Sequence, residues 1–239
     1  MIFEGAISVK SLLEHNYHQV VMLYMDKQKD DRNTRYIVKL ANQKGIKINY
    51  CTRSEIDALA SGKTHGGILA ESMPRTYQKF EDIKGNRIAC IDGIEDPFNL
   101  GYAFRSLYCF GFSAVILKRR DFDSIEHIIL KSSAGAFNKL AIYFSDDITQ
   151  DLTKLKAKQY TIFSMQRSDL AQSIYETEYT KKMVLVVGGE KRGIAKEVLA
   201  LSDTLIYIPY GNEFKNALNA TSAISSVASE IHRQDLIRK

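Results

Sequence analysis

The chain has 239 residues, 45% hydrophobic and 26% charged, enough to bury a substantial core in one large domain or two modest ones. Lys and Arg number 33 against 28 Asp and Glu, a net charge of +5 that permits a polyanionic partner without requiring one. No apolar run approaches membrane-spanning length, MIFEGAISVKSLLEH lacks the build of a signal peptide, and three cysteines without a CxxC pair suit reduced thiols, so a cytoplasmic protein with no membrane association is expected.

In chain order, Ala6–Leu13 predicts a helix, Gln19–Met25 a strand and Tyr36–Gln43 a helix closed by Gly45. Ile46–Cys51 then predicts a strand, Arg53–Ala60 a helix introduced by Thr52, and Gly67–Ala70 a further strand. Residues 1–72 therefore read as a small α/β domain. The polar run ESMPRTYQKFEDIKGN carries one of only three prolines and marks 73–86 as a linker. From residue 87 to 239 the alternation restarts with longer units. Strands are predicted at 88–91, 114–118, 140–144, 160–165, 184–187 and 205–208, with helices at 99–110, 124–133, 149–158 and 194–200. A closing helix, 217–234, carries Ala220, Ala223, Ile224, Val227, Ala228 and Ile231 on one stripe. Alternating strands and helices imply a largely parallel sheet with helices on both faces.

Three strand ends carry candidate chemistry. In DGIEDPFNLGYAFRSLYCFGF (92–112), Pro97 and Asn99 suit a turn and a capped helix start, and Arg105 lies beside the core stripe Leu100, Ala103, Phe104 and Leu107. A guanidinium there needs an anion: a phosphate, or an acid such as Asp96 or Glu190. In LVVGGEKRGI (185–194), Gly188 and Gly189 follow a buried strand, where a tight turn and close approach to a ligand explain the pair equally well. Glu190 is a lone acid at a position where parallel strands place ligands. The third segment runs from Ile208 and Pro209 through a polar loop to Leu218 and Asn219, with Asn216 or Asn219 as the cap of the closing helix. Basic clusters at Lys118–Arg120 and Lys191–Arg192 also follow strand ends, where solvated surface charge is their commoner use. His15 and His18 share a helical spacing, but no further ligands accompany them or His65, His127 and His232, and no metal is expected.

Together the three segments resemble the SpoU family of RNA ribose 2′-O-methyltransferases, also called the TrmH family. Its first motif, D-x-x-x-DP-x-N-x-G-x-x-x-R, is matched by Asp92, Asp96, Pro97, Asn99, Gly101 and Arg105. Its second, G-x-E-x-x-G after a strand, is matched by Gly188, Glu190 and Gly193, and its third by Ile208, Pro209, Leu218 and Asn219. SSAGAFNKL (132–140) is similar to the family's S-x-GA stretch, and THGGILA (64–70) to the HxG segment ending its N-terminal substrate-binding domain. One departure stands out: Ala217 occupies the place of the family's serine, with Thr221 nearby.

The resemblance implies an α/β fold of the SPOUT type with a deep trefoil knot, preceded by a small α/β RNA-binding domain. It implies S-adenosylmethionine as methyl donor, held by Gly188, Gly189, Ile208, Pro209 and Leu218, and a homodimer with its active sites near the interface. Arg105 is the expected catalytic group, with Asn99, Glu190 and Asn219 fixing the arginine and the ribose. The expected substrate is structured RNA, 23S ribosomal RNA ahead of transfer RNA. The competing reading is an RNA-binding protein that kept the fold and lost catalysis, which Ala217 permits. A nucleotide-dependent oxidoreductase is disfavoured, because no glycine fingerprint follows an early strand.

Overall fold

The computed structural model describes residues 1–189 and 192–238. In chain order its elements begin with β1 (Ile2–Glu4), α1 (Ala6–Glu14), β2 (Val20–Asp26), α2 (Arg32–Gln43), β3 (Lys47–Cys51), α3 (Arg53–Leu59) and β4 (Ile68–Ser72). They continue through β5 (Arg87–Asp92), α4 (Pro97–Cys109), β6 (Ala114–Lys118), α5 (Glu126–Ser132), β7 (Ala141–Ser145), α6 (Ile148–Ala157) and β8 (Thr161–Met165). The last are β9 (Gln172–Ser173), β10 (Met183–Gly188), α7 (Lys196–Leu201), β11 (Thr204–Tyr207) and α8 (Ala220–Ile237). All the expected elements are present. Two strands were not anticipated, β1 and β9, because two or three residues are too short for a periodicity to declare itself.

The chain divides into two compact units. The first comprises Met1–Thr76 and Asp121–Lys139. Its mixed sheet has the order β1-β4-β2-β3, antiparallel except for the β2–β3 pair. Asp31 caps α2 by accepting from the Thr34 N–H, and Thr52 with Glu55 forms a capping box on α3. Gly45, at φ +66°, turns the chain after α2 at little steric cost. Residues 121–139 were expected within the second domain. Instead α5 packs on α1 and β1, Ser11 Oγ donates to the Gly135 carbonyl at 3.2 Å, and Lys131 pairs with Glu4 at 3.2 Å. Buried Glu126 accepts from the Arg75 backbone N–H, tying the segment to the chain after β4. His65 is not the isolated side chain its sequence context implied. It is buried, with Nε2 2.9 Å from Asp57 Oδ1 and Nδ1 accepting from the Gly67 N–H.

The expected linker is largely fastened within its units. Met73 and Thr76 donate backbone hydrogen bonds to Gln19 and Tyr17 in the first unit, and Gln78 exchanges two with Ile142 of β7 in the second.

The second unit comprises Tyr77–Arg120 and Leu140–Lys239. Its sheet has the order β7-β6-β5-β10-β8-β11-β9, every pair parallel. The residues Ile88–Ile91, Ala114–Leu117 and Met183–Val187 are all buried, so the central strands read as continuous apolar runs. The same burial pushes the Cys90 thiol far above its usual range. From β5 the chain steps outward through β6 to β7, then crosses to the other side, where β10 lies beside β5. The carboxyl ends of β5 and β10 therefore form a switch point, the place where open α/β sheets hold ligands.

Helix α8 packs along α4, joined by a 2.6 Å hydrogen bond between Ser106 Oγ and Ser225 Oγ. Ile224, Val227 and Ile231 of the predicted stripe are fully buried, each contributing roughly 1.5–3 kcal/mol. Near the other end of α8, the buried Arg87 guanidinium pairs with Asp235 and donates to the Phe110 carbonyl.

Candidate active site

Asp96, not Asn99, caps α4. Its carboxylate accepts from the Asn99 N–H at 2.7 Å with Pro97 in the first turn, because the aspartate sits where the backbone is still extended. Leu100, Ala103, Phe104 and Leu107 are buried as the stripe predicted, which leaves Phe98, Tyr102, Arg105 and Tyr108 exposed. Arg105 makes no ion pair among the described residues.

The first two motifs meet through backbone. Asp92 and Gly188 are register partners at the ends of β5 and β10. A Cβ on Gly189 would lie 2.6 Å from the Gly93 carbonyl oxygen, and one on Gly188 would lie 2.3 Å from the Gly193 carbonyl carbon. These glycines are accounted for by chain-to-chain contact: Gly188 lets its own loop close, and Gly189 lets the two motif loops touch. Glu190 lies outside the described residues.

The third motif joins the first. Asn219 caps α8 by accepting from the Ser222 N–H at 2.8 Å, and Thr221 Oγ1 donates to the Asn99 carbonyl at 3.1 Å. Ile208 lies just beyond β11, Pro209 and Leu218 are exposed, and the Leu218 N–H donates to the Tyr210 hydroxyl at 2.8 Å.

At the switch point lies a cavity of about 710 Å³, lined by Asp92, Gly93, Ile94, Glu95, Asp96, Asn99, Lys118, Gly189, Arg192, Gly193 and Ala195. That volume lies within the roughly 300–1,000 Å³ of pockets that take small ligands. Asn99 and Gly189 of the expected site residues reach it; Arg105, Gly188, Ile208, Pro209, Leu218 and Asn219 do not line it. Sequence reasoning left out Glu95, Lys118 and Arg192 as site residues, although the basic pair positions after strand ends were a usable signal. The loop wall is held by Arg120, whose guanidinium donates to the Ile94 carbonyl at 2.8 Å. Burial pushes the Arg120 pKa down, and the Glu95 carboxylate works against that.

A parallel α/β unit with a cavity lined by charged residues at its switch point has the build of proteins that bind a ligand at the carboxyl edge of their sheet. The chain belongs to the SpoU rRNA methylase family, whose pattern spans residues 86–228, and residues 2–78 match the RNA 2′-O ribose methyltransferase substrate-binding family. It is 26% identical to the 23S rRNA (guanosine-2′-O-)-methyltransferase RlmB of Acinetobacter baylyi, over 98% of this chain and 97% of that protein. The RlmB of Yersinia pestis is 27% identical, with coverage of 98% and 97%. The SpoU methyltransferase AviRb of Streptomyces viridochromogenes, solved in complex with the cofactor AdoMet, shares the fold. Its TM-score is 0.80 at 16% identity, over 99% of this chain and 91% of that one. The TrmH/SpoU tRNA modifying enzyme of A. aeolicus has a TM-score of 0.58 at 24% identity, over 66% of this chain and 80% of that one.

Proposed function

We propose that the protein transfers the methyl group of S-adenosylmethionine to a ribose 2′-hydroxyl of 23S ribosomal RNA. The observation that carries this reading is the meeting of all three motifs: Gly93 against Gly189, and Thr221 against Asn99, beside one cavity. Ribosomal RNA is preferred over transfer RNA because the relatives named for 23S rRNA align over nearly the whole chain, whereas the tRNA modifying enzyme aligns with 66% of it. In this reading residues 1–72 grip the RNA, joined through 73–86 to the methyltransferase domain, 87–239, of which the segment 121–139 belongs by its packing to the first unit. The reaction takes place in the cytoplasm.

Gly188, Gly189, Ile208, Pro209 and Leu218 hold the cofactor. The residues fit it: Gly189 lines the cavity just beyond the end of β10, and part-exposed Ile208 and exposed Leu218 offer apolar faces beyond β11. The bound cofactor supplies a sulfonium methyl as electrophile. Arg105 stays charged at neutral pH, so it stabilises negative charge growing on the 2′-oxygen and binds the adjoining phosphate, without accepting the proton. Asn99, Glu190 and Asn219 fix the arginine and the ribose. Ala217 removes one family hydroxyl, and the Thr221 hydroxyl supports the catalytic reading over a merely RNA-binding one by fastening Asn99.

The same reading includes a homodimer and the family's trefoil knot. The exposed Phe98, Tyr102 and Tyr108 on α4, with Leu236 and Ile237 near the end of α8, supply the apolar surface that a second copy covers and bring Arg105 to the interface. The test is transfer of labelled methyl to RNA from a host strain lacking the gene, followed by ribose-methylation mapping. Donor binding without labelled ribose in any host RNA would refute the enzyme reading, and label confined to transfer RNA would refute the ribosomal target.

A further inference from the structure

Between β11 and α8 the chain runs from residue 208 to 219 without a helix or a strand. Residues 211–219 are all exposed, so burial does little to fix their path. Both ends of this loop carry groups assigned to the cofactor, Ile208 and Pro209 at one end and Leu218 at the other. β11 anchors the near end, and Asn219 anchors the far end as the cap of α8. Something else has to set the path between them and bring Leu218 back toward Pro209.

Three contacts set it. The Leu218 N–H donates to the Tyr210 hydroxyl at 2.8 Å. Tyr210 directly follows Pro209, so this bond holds the two cofactor segments within a tyrosine's length of each other. The Tyr210 ring is covered by the Arg167 guanidinium, whose central carbon lies 5.2 Å from the ring centroid. The same guanidinium donates from Nη1 to the Phe214 carbonyl at 3.2 Å, in the middle of the loop. Arg167 stands just past β8, which pairs with β11 as far as Met165 and Ile206. The Gln166 N–H extends that pairing by donating to the Ile206 carbonyl at 2.9 Å, so the arginine reaches the loop from the neighbouring strand. A planar guanidinium covers a ring and donates in its own plane at once, which an ammonium does not. Neither residue belongs to the three motifs, and neither lines the cavity at the switch point.

We propose that Arg167 and Tyr210 are positioning residues for the methyl donor. Arg167 pins the loop and Tyr210 folds Leu218 back toward Pro209, so the cofactor meets a loop already in place. This rests on the reading of the protein as an S-adenosylmethionine-dependent methyltransferase. A loop that must be ordered at the moment of binding costs affinity, and one ordered in advance does not. The pair acts through Ile208 and Leu218 and touches no reacting atom. Its effect therefore belongs in donor affinity and not in the chemical step.

The experiment titrates the full chain with S-adenosylhomocysteine, the donor without its methyl group, in wild type, Tyr210→Phe, Arg167→Lys and Arg167→Ala. Tyr210→Phe keeps the ring and loses one hydrogen bond, and its Kd should rise about fivefold. Arg167→Ala loses ring contact and hydrogen bond together and should bind about tenfold or more weakly. Arg167→Lys should fall between wild type and Arg167→Ala. With ribosomal RNA as acceptor, the KM for S-adenosylmethionine should follow these factors, while kcat at saturating donor and the KM for RNA change by less than about twofold. A contact that served only stability would lower Tm without this split. Without cofactor, the Leu218 amide should exchange with deuterium faster in Tyr210→Phe than in wild type. Wild-type affinity in Tyr210→Phe or in Arg167→Ala would overturn the proposal, as would a fall in kcat with Kd unmoved, and the methyltransferase reading would stand. Tyr210→Phe, which removes a single oxygen, decides the matter if Arg167→Ala does not fold. Failure of wild type to bind S-adenosylhomocysteine would sink the functional reading itself.

Discussion

Thr221 Oγ1 donates to the backbone carbonyl of Asn99 at 3.1 Å, fastening the first turn of α8 to the first turn of α4. Hydroxyl and carbonyl belong to two motifs 122 positions apart in the chain. The Thr221 carbonyl in turn accepts from Ser225 Oγ, whose neighbour across the helix pair is Ser106 Oγ. Replacing Thr221 with valine keeps the shape and leaves the Asn99 carbonyl without this donor. The expected cost is about 1 kcal/mol of stability with a larger fall in kcat than in donor affinity. Urea denaturation and donor titration beside single-turnover rates check it; a rate equal to wild type would separate this contact from the chemistry.

That contact also marks where the sequence was legible. The long apolar runs of β5, β6 and β10 and the stripe of α8 declared their elements, because burial on both faces or on one stripe imposes a pattern on composition. Asp96 and Asn99 both suit a helix start, and only backbone geometry decides that Asp96 caps. The pairing of Gly189 with Gly93 could not be read from either loop, since it depends on β10 lying beside β5. The placement of 121–139 was hidden for a similar reason: α5 has the same amphipathic pattern whichever unit it covers.

Gly189→Ala should be among the most damaging small changes in the second unit. Its Cβ would stand 2.6 Å from the Gly93 carbonyl oxygen, a backbone atom that cannot swing aside. Moving either loop reshapes the cavity, at a cost of about 1–3 kcal/mol or more. Gly211→Ala is the control, because nothing lies within 4 Å of its Cβ position. Thermal unfolding and donor binding should separate the two variants, and equal Tm values would contradict the close approach.

Arg105→Ala should leave donor affinity nearly intact and lower kcat by roughly a hundredfold or more, the loss typical of a group that stabilises charge in the transition state. Because Arg105 is exposed and makes no ion pair among the described residues, the fold should not register the change. Arg105→Lys should recover only part of the rate, since an ammonium lacks the planar fork. Full turnover by Arg105→Ala would remove the arginine from the mechanism.

Deleting residues 1–76 should not yield a well-folded remainder. The segment 121–139 stays behind, and α5 loses α1 and β1, on which it packs. Ser11, Glu4 and the Arg75 N–H, partners of Gly135, Lys131 and Glu126, leave with them. Without them the Glu126 carboxylate loses a hydrogen-bond donor, and apolar surface of α5 meets water. Dye binding to exposed apolar surface and a broadened proton–nitrogen spectrum are the expected readouts. A sharp, dispersed spectrum from the deletion would show that 121–139 folds without its first-unit partners.

Glu4 gives the first unit an acid-sensitive fastening. Burial alone would raise its pKa, but Lys131 Nζ at 3.2 Å and the N–H groups of Gly62 and Ser61, at 3.0 and 2.6 Å, outweigh burial and hold the carboxyl below its usual value. A folded-state pKa below the unfolded one binds fewer protons when folded, so stability rises with pH across the interval between them. The contribution is therefore complete above the ordinary glutamate value of about 4.3, and it fades as pH falls through the lower folded value. Glu4→Gln should be less stable than wild type at pH 7 and approach it near pH 3, as protonation removes the charge from wild type as well. Urea titrations at pH 7, 5 and 3 measure the convergence, and a stability gap that stays constant across that range would place the effect of Glu4 in packing instead of charge.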